Sequence, residues 1–219
     1  MLVIKKFTFN EFSENTFIIH EGQQCIIVDP GCYRDLEVNQ LTAYIRDNDL
    51  KPQAIWNTHC HIDHILGVER VRSLYNIPFL IGRLEVEVLR SMNLFATYYG
   101  YAGFTVPEPD GFIEAGGNLV SGNVSWEVLD VPGHSPGHIA LFNREELICI
   151  SGDVLFYRSI GRSDLPGGNH DQLIRSIRSK LFTLPDETRV LPGHGQETTV
   201  ADEKQYNPFC GEIVFKSGK

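Results

Sequence analysis

The stretch Thr58-His59-Cys60-His61-Ile62-Asp63-His64 is the part of the chain around which the rest is organised. Residues 54–57 before it read as a short buried strand, and Ile65 to Tyr75 after it carries apolar residues at helical spacing. The motif is therefore expected at a strand-to-helix turn. Its side chains that can ligate a metal are His59, His61, Asp63 and His64.

The spacing within the motif assigns these side chains different directions. In extended backbone alternate side chains point to the same side, so His59 and His61 can reach one ion while Cys60 points away from it. Where the helix begins the direction changes, and Asp63 and His64 are expected to serve a second ion beside the first. The alternative is a helix N-cap aspartate among surface histidines, without a metal. Cys60 is expected to be a small buried apolar residue.

Length and charge limit the classes of protein. With 219 residues the chain fits one domain over residues 1–219, and its formal net charge of -9 argues against nucleic acid or an anionic membrane surface as a partner. The N-terminus lacks the apolar region of a secretory signal, and no apolar run is long enough to cross a bilayer. We therefore expect a cytoplasmic protein. Its five scattered cysteines fit reduced thiols.

The first half of the chain predicts a β-rich start followed by helices. Val3 to Phe9, Asn15 to His20 and Gln24 to Val28 read as an antiparallel meander that ends at Asp29. Asp29 is either a turn former or an acceptor that fixes the tautomer of a ligand histidine. Further predicted elements are a helix over Leu36 to Leu50, a strand over Pro78 to Ile81 and a helix over Arg83 to Met92.

The segment from Asn93 to Asp110 is rich in aromatic residues and shows no regular periodicity. It is expected to be an irregular insertion. A lid or pocket wall, an oligomer contact and a satellite core all remain open for it.

In the second half, polar side chains follow the ends of predicted strands. His134 lies in a Gly- and Pro-constrained turn, where a rigid third ligand for the first ion is wanted. Asp153 follows a strand at Leu147 to Ile150, and its two oxygens suit a bridge between two ions. His194 follows a buried strand over Arg189 to Leu191 and completes the second ion. His138 is expected to be a structural histidine. The remaining predicted strands are Phe112 to Glu114, Trp126 to Val131 and Ile139 to Phe142.

Taken together, the ordered ligand set resembles that of the metallo-β-lactamase superfamily. Within it, Gly161-Arg162-Ser163-Asp164 and Pro192-Gly193-His194-Gly195 look like the short glyoxalase II-like, or hydroxyacylglutathione hydrolase-like, hydrolases. The resemblance implies an α+β fold, an αββα four-layer sandwich with two sheets face to face and helices outside. It also implies two divalent metal ions, with zinc expected and iron or manganese as alternatives, and catalytic roles for Asp63 and Asp153.

The expected activity is hydrolysis of a small-molecule thioester by a water activated between two cations. A thiol departs as thiolate without a general acid, and no separate acid is evident, which favours a thioester over a lactam. Arg162 matches the family's basic contact and is either a clamp for a substrate carboxylate or a partner of Asp164 that pins its loop.

Three other functions remain open at this point. They are a mononuclear iron persulfide dioxygenase, a lactonase or β-lactamase, and a metal-binding module without activity. Full-length glyoxalase II has a C-terminal helical domain for glutathione, whereas this chain ends at Lys219, so the thiol carrier stays open. The acyl group and the oligomeric state also stay open.

Overall fold

The computed structural model describes residues 1–212. The end of the expected single domain, residues 213–219, lies outside this range, and the single domain stays a prediction. The strands are β1 (Val3–Phe9), β2 (Glu14–Glu21), β3 (Gln24–Val28), β4 (Lys51–Trp56), β5 (Phe79–Gly82), β6 (Gly111–Ile113), β7 (Asn118–Ser121), β8 (Val124–Asp130), β9 (Ile139–Asn143), β10 (Ile148–Gly152), β11 (Leu155–Phe156), β12 (Ser159–Ile160), β13 (Arg189–Pro192) and β14 (Thr198–Thr199). The α-helices are α1 (Asp35–Asp47), α2 (Ile62–Ile65), α3 (Val68–Tyr75), α4 (Val86–Tyr99), α5 (His170–Ser176) and α6 (Val200–Tyr206), with a 3₁₀ turn at Arg83–Glu85 and a π-helical turn at Ile177–Leu181.

Most strands belong to two six-stranded sheets. The first has the order β1-β2-β3-β4-β5-β6 and the second the order β14-β13-β10-β9-β8-β7. In the first sheet β1, β2 and β3 form the predicted antiparallel meander, and β4 to β6 then add in parallel. In the second sheet β10 pairs antiparallel with β9 and parallel with β13. Sheets and helices of this kind confirm the predicted α+β class.

The chain divides into two compact units. The first comprises residues 1–114 and 119–125, and the second comprises residues 115–118 and the described residues from 126 onward. Fully buried side chains of the first unit include Ile18, Ile27 and Ile55 on adjacent strands. In the second unit Phe142 and Val190 of the sheet are buried in one cluster with Leu173 of α5. Each unit therefore has a core built of strand and helix side chains.

The predicted helix after the histidine motif is present as two shorter helices, α2 and α3. Gly67 separates them, and a Cβ at this position would lie 2.5 Å from the Cys32 Sγ and 2.7 Å from the Pro30 carbonyl oxygen. The chain after Asp29 thus passes directly over Gly67. The helix is interrupted where only a glycine allows this approach.

The prediction of an irregular segment from Asn93 to Asp110 is wrong in its first part. Helix α4 continues to Tyr99, because Val88, Met92 and Ala96 remain buried at a spacing of four residues. Gly100 then ends the helix in the left-handed conformation, with φ of 76°. Only residues 100–110 are irregular. Helices α5 and α6 were not expected from the sequence.

Among residues 1–212, no helix combines the length and the apolar character needed to cross a membrane.

Candidate metal-binding site

The four candidate ligands of the first unit lie together on the turn that follows β4. The chain leaves the strand at Trp56, stays non-helical to His61 and enters α2 at Ile62, as the sequence predicts. His59 and His64 are fully buried, whereas His61 and Asp63 are each 8% exposed. The ring centroid of His59 lies 4.8 Å from that of His61 and 4.2 Å from that of His64. A cluster of imidazoles this tight supplies several nitrogen donors within one small volume.

Asp29 supports this cluster from the end of β3. Its Oδ1 accepts from the Thr58 backbone N–H at 2.7 Å, and its Oδ2 accepts from the Thr58 hydroxyl at 2.6 Å and contacts His64 Nδ1 at 3.1 Å. Asp29 has a positive φ of 49°, which an aspartate tolerates better than most residues. The structure therefore contains the hydrogen bond that the tautomer-fixing interpretation of Asp29 predicts.

These contacts determine which ring nitrogen carries the proton. An ionised carboxylate only accepts hydrogen bonds, so His64 donates from Nδ1 and keeps the lone pair of Nε2. The Thr58 hydroxyl gives its proton to Asp29, so it accepts from His59 Nδ1, which lies 3.1 Å away. One carboxylate thus prepares Nε2 of both His59 and His64 as metal ligands.

The backbone of the same turn is held by two further buried side chains. Asn57 donates through Nδ2 to the carbonyl oxygens of His59 and His64, at 3.2 and 2.9 Å. The Cys60 N–H donates to the Glu85 carboxylate at 2.8 Å. Cys60 itself is buried in the hydrophobic core, as predicted, and burial raises the pKa of its thiol well above the ordinary value. It has the character of a core residue.

The candidate ligands of the second unit come from three separate loops. His134 lies between β8 and β9, Asp153 follows β10 and His194 follows β13. The Asp153 Oδ2 lies 3.6 Å from His134 Nε2 and 3.4 Å from His194 Nε2. One carboxylate oxygen is therefore close to both imidazoles, as a bridging position requires.

In this second set a main-chain carbonyl oxygen orients His134. His134 Nδ1 lies 2.7 Å from the carbonyl oxygen of Arg162, so the ring donates from Nδ1 and keeps the lone pair of Nε2. The backbone of Gly161 passes very close to Asp153 and His134. A Cβ at Gly161 would lie 1.9 Å from the Asp153 carbonyl oxygen and 3.0 Å from His134 Nδ1. Gly161 is needed for this approach.

His138 has the structural role that the sequence predicts. It is fully buried, and its Nε2 accepts a hydrogen bond of 3.0 Å from the backbone N–H of Asp153. The ring thereby fixes the main chain at the tip of β10. His138 acts on Asp153 and not as a member of the predicted ligand set.

The Arg162 guanidinium forms a bidentate pair with Asp164. Its Nε and Nη2 donate to the two carboxylate oxygens, each at 2.8 Å, and both side chains are more than half exposed. The hydrogen bonds from Arg162 lower the pKa of Asp164 to about 2. This is the contact expected of a loop pin, and the substrate clamp stays a prediction.

Comparison with known proteins places the chain in a family. The sequence model of the metallo-β-lactamase superfamily matches residues 9–194. The chain belongs to the metallo-β-lactamase superfamily. Both the recognition made from the sequence and the predicted fold class are confirmed. Imidazole and carboxylate donors of this kind fit a divalent metal ion, and the superfamily and its relatives support a metal-dependent hydrolase.

Curated relatives match most of the chain. The probable metallo-hydrolase YqgX of Bacillus subtilis is 41% identical over 197 residues, which are 89% of this chain and 91% of the relative. The hydroxyacylglutathione hydrolase GloC of Haemophilus influenzae is 32% identical over 202 residues, which are 90% of this chain and 93% of the relative. The chain therefore corresponds to nearly the full length of both.

Solved structures with the same fold include two with over 30% identity. The B3 metallo-β-lactamase BLEG-1 is 34% identical with a TM-score of 0.86, over 95% of this chain and 99% of that one. TTHA1623 in a di-iron-bound form is 35% identical with a TM-score of 0.84, over 94% of this chain and 99% of that one. A relative that holds two irons supports the use of divalent metal by this chain.

Two residues at the site were missed in the sequence. Thr58 stands inside the motif, yet its hydroxyl has a role only because it connects Asp29 to His59. Glu14 at the start of β2 is fully buried and lies 3.9 Å from His64 Nδ1. No local pattern marks Glu14, because β2 also carries Asn15, Thr16, His20 and Glu21.

Proposed function

We propose that this protein is a binuclear metal-dependent hydrolase that cleaves a thioester of the hydroxyacyl-thiol class. The observation that carries the proposal is the orientation of three imidazoles. His59, His64 and His134 each place Nδ1 against an oxygen, so each Nε2 is available to a metal. Such preparation of several ligands is expected of a catalytic metal centre and not of scattered surface histidines.

In this proposal the seven candidate ligands divide between two ions. His59, His61 and His134 would hold the first, Asp63, His64 and His194 would hold the second, and Asp153 would serve both. The contacts of Asp153 support the bridge. Two ligand atoms on one tetrahedral ion with bonds of about 2.0–2.1 Å are about 3.4 Å apart, and the Asp153 Oδ2 lies 3.6 and 3.4 Å from the two imidazole nitrogens.

The chemistry follows from what the ions and the residues each supply. When bound, the two cations lower the pKa of a shared water and polarise the substrate carbonyl. Asp153 and Asp63 offset the positive charge with two carboxylates, while Asp29 keeps His59 and His64 in the ligating tautomer. A thiol with a pKa near 8.5 leaves as thiolate, so this reaction needs no proton donor from the protein.

Two considerations favour a thioester as the substrate class. GloC is named a hydroxyacylglutathione hydrolase, and this chain is similar to it over nearly its full length. A lactam nitrogen needs a delivered proton, whereas a thiolate does not. We propose zinc as the native metal. Iron and manganese remain alternatives, because imidazole and carboxylate donors accept them as well.

The test combines metal analysis with three assays on the same preparation. Protein purified without added metal is analysed for its elements and assayed with a hydroxyacylglutathione thioester, with a β-lactam and for oxygen uptake with a persulfide. We expect two ions per chain and turnover of the thioester alone. One iron per chain with persulfide-dependent oxygen uptake would instead show a dioxygenase, and lactam turnover without thioester turnover would show a lactamase.

A further inference from the structure

Glu14 is a buried carboxylate that the proposed ligand set does not use. It lies at the start of β2 with no exposed surface. Its Oε2 shares the single proton of the Thr16 hydroxyl with the Asp29 carbonyl oxygen, and each acceptor lies 2.8 Å from that hydroxyl. Its Oε1 finds no hydrogen-bond donor within residues 1–212 and lies 3.9 Å from His64 Nδ1. A buried carboxylate oxygen of this kind is costly to the fold and calls for an explanation.

The neighbouring residues form a recess that fits this carboxylate. A Cβ at Gly31 would lie 2.2 Å from the Glu14 Oε2 and 2.4 Å from the Asp63 carbonyl oxygen, so a larger residue at position 31 would displace one of them. The Thr16 hydroxyl, besides contacting Glu14, accepts from the Gly31 N–H at 3.0 Å. Two residues thus make room for an acid group directly beneath the turn that carries Asp63 and His64.

The metal-free chain gains nothing evident from a charge at this position. The Glu14 Oε1 is buried without a hydrogen-bond donor within residues 1–212, and a charged oxygen in that position costs more than a neutral one. An uncharged isostere would therefore suit the metal-free fold at least as well. Two acidic oxygens face the Nδ1 edge of His64, Asp29 Oδ2 at 3.1 Å and Glu14 Oε1 at 3.9 Å. Negative charge on that edge strengthens the ring as a ligand through Nε2.

We propose that Glu14 is an electrostatic positioning residue of the metal centre, which raises the affinity of the ion bound by His64 while it destabilises the metal-free chain. The inference rests on the proposed metal centre. It assigns Glu14 no contact with substrate or metal. The attraction acts through the buried interior, where charges are screened less than at the surface.

The test replaces Glu14 with glutamine, which keeps the size and removes the charge. Zn²⁺ affinity is measured by competition with a chromophoric chelator, and the melting temperature is measured on the metal-free chain. For Glu14→Gln we expect one of the two zinc equivalents to bind about 10- to 100-fold more weakly, as is typical when an outer partner of a ligand is lost. The melting temperature of the metal-free chain should stay the same or rise.

Glu203→Gln is the matched control. Glu203 is also a fully buried carboxylate, but its oxygens accept from the Arg158 N–H and guanidinium, the Thr198 hydroxyl and the Asn207 amide. Its replacement should lower the melting temperature of the metal-free chain and leave zinc affinity unchanged. If Glu14 has only a structural role, Glu14→Gln should likewise lower the melting temperature of the metal-free chain and leave zinc affinity unchanged.

The remaining outcomes are distinguishable. Wild-type chain that binds no zinc, iron or manganese would overturn the metal centre and this inference together. Wild-type binding with unchanged affinity in Glu14→Gln overturns the role of Glu14 alone. A Glu14→Gln chain that does not fold also overturns it, because the inference requires the metal-free variant to be at least as stable as the wild type.

Discussion

The two groups of candidate ligands differ in how the chain holds them. In the first unit the ligands fall within six residues, from His59 to His64, and side chains orient them, chiefly the Asp29 carboxylate and the Thr58 hydroxyl. In the second unit the candidate ligands span residues 134–194, and hydrogen bonds that involve main-chain groups hold His134 and Asp153 in place. The Arg162 carbonyl accepts from His134, and the Asp153 N–H donates to His138.

This difference determines which substitutions can disturb each group. A side-chain acceptor can be altered by one substitution with the backbone intact, so the first group can be adjusted residue by residue. A main-chain acceptor moves only if the backbone moves, so the second group responds to glycines and to the strands that carry it. The predictions below separate the two kinds of support.

The largest effect is expected at Asp153, because both imidazoles of the second group lie near its Oδ2. Asp153→Asn keeps the size but removes the charge that offsets the cations. We expect loss of one metal ion with the fold intact. The hydrolysis rate should fall by more than the roughly 10- to 100-fold that is typical when a residue hydrogen-bonded to a metal ligand is lost. Elemental analysis measures the metal content, steady-state kinetics measure the hydrolysis, and circular dichroism reports the fold. Two retained ions with near-normal turnover would exclude the bridging role.

A smaller effect is expected for Asp29→Asn, which tests support by side chains. Asparagine also tolerates the positive φ at this position, so the backbone should be retained. An amide N–H group facing His64 Nδ1 favours the opposite tautomer, with the proton on Nε2. We expect about 10- to 100-fold weaker binding of metal. The tautomer is read from the ¹⁵N shifts of the ring, and an unchanged tautomer with unchanged affinity would contradict this role.

Gly161→Ala tests support by the main chain. The new methyl group would meet the Asp153 carbonyl oxygen, so the loop must shift, and His134 loses its position. We expect a loss of about 1–3 kcal/mol in the free energy of unfolding, as for other overpacked sites, together with weaker metal binding. Gly111→Ala is the control, because its Cβ would meet only the end of the Leu80 side chain at 3.0 Å. Equal effects of both substitutions would refute a specific role for Gly161.

The smallest effect is expected at Arg162, whose side chain is 58% exposed. If it clamps a substrate carboxylate, Arg162→Ala raises KM for carboxylate-bearing thioesters by about 10-fold, equivalent to about 1.4 kcal/mol, with little change in melting temperature. If Arg162 pins the loop through Asp164, Arg162→Ala slows the turnover of charged and uncharged thioesters equally, and the melting temperature falls. Steady-state kinetics with both substrate types decide between the two roles.

The same contrast explains what the sequence could predict. The first group was found at once, because its ligands are adjacent and alternate as extended backbone requires. His134, Asp153 and His194 were found because each follows a strand, although only the structure shows that the Arg162 carbonyl and His138 position them. The place of Asp29 at a strand end predicts support for a ligand histidine as one of two alternatives, but local spacing cannot show that its partner is His64, 35 residues away.

Two errors in the predicted elements have local causes. Helix α4 was predicted to end at Met92 because aromatic residues obscured the spacing of Val88, Met92 and Ala96, although Gly100 marked the true end. Helix α5 was missed even though Asn169 caps it and Leu173, Ile177 and Leu181 repeat at four residues. In both cases the apolar spacing of the helix is present in the sequence.

If the protein hydrolyses a thioester as proposed, it releases a thiol, and the burial of Cys60 then has a chemical consequence. All five cysteines are buried, and burial raises the pKa of the Cys25, Cys32, Cys149 and Cys210 thiols to about 12 and that of Cys60 well above its ordinary value. Thiol–disulfide exchange requires an accessible thiolate, and at neutral pH the protein presents essentially none. A released thiol, or the disulfide formed when it oxidises, therefore finds no sulfur to capture it, and the histidine turn around Cys60 is protected from modification by its own product.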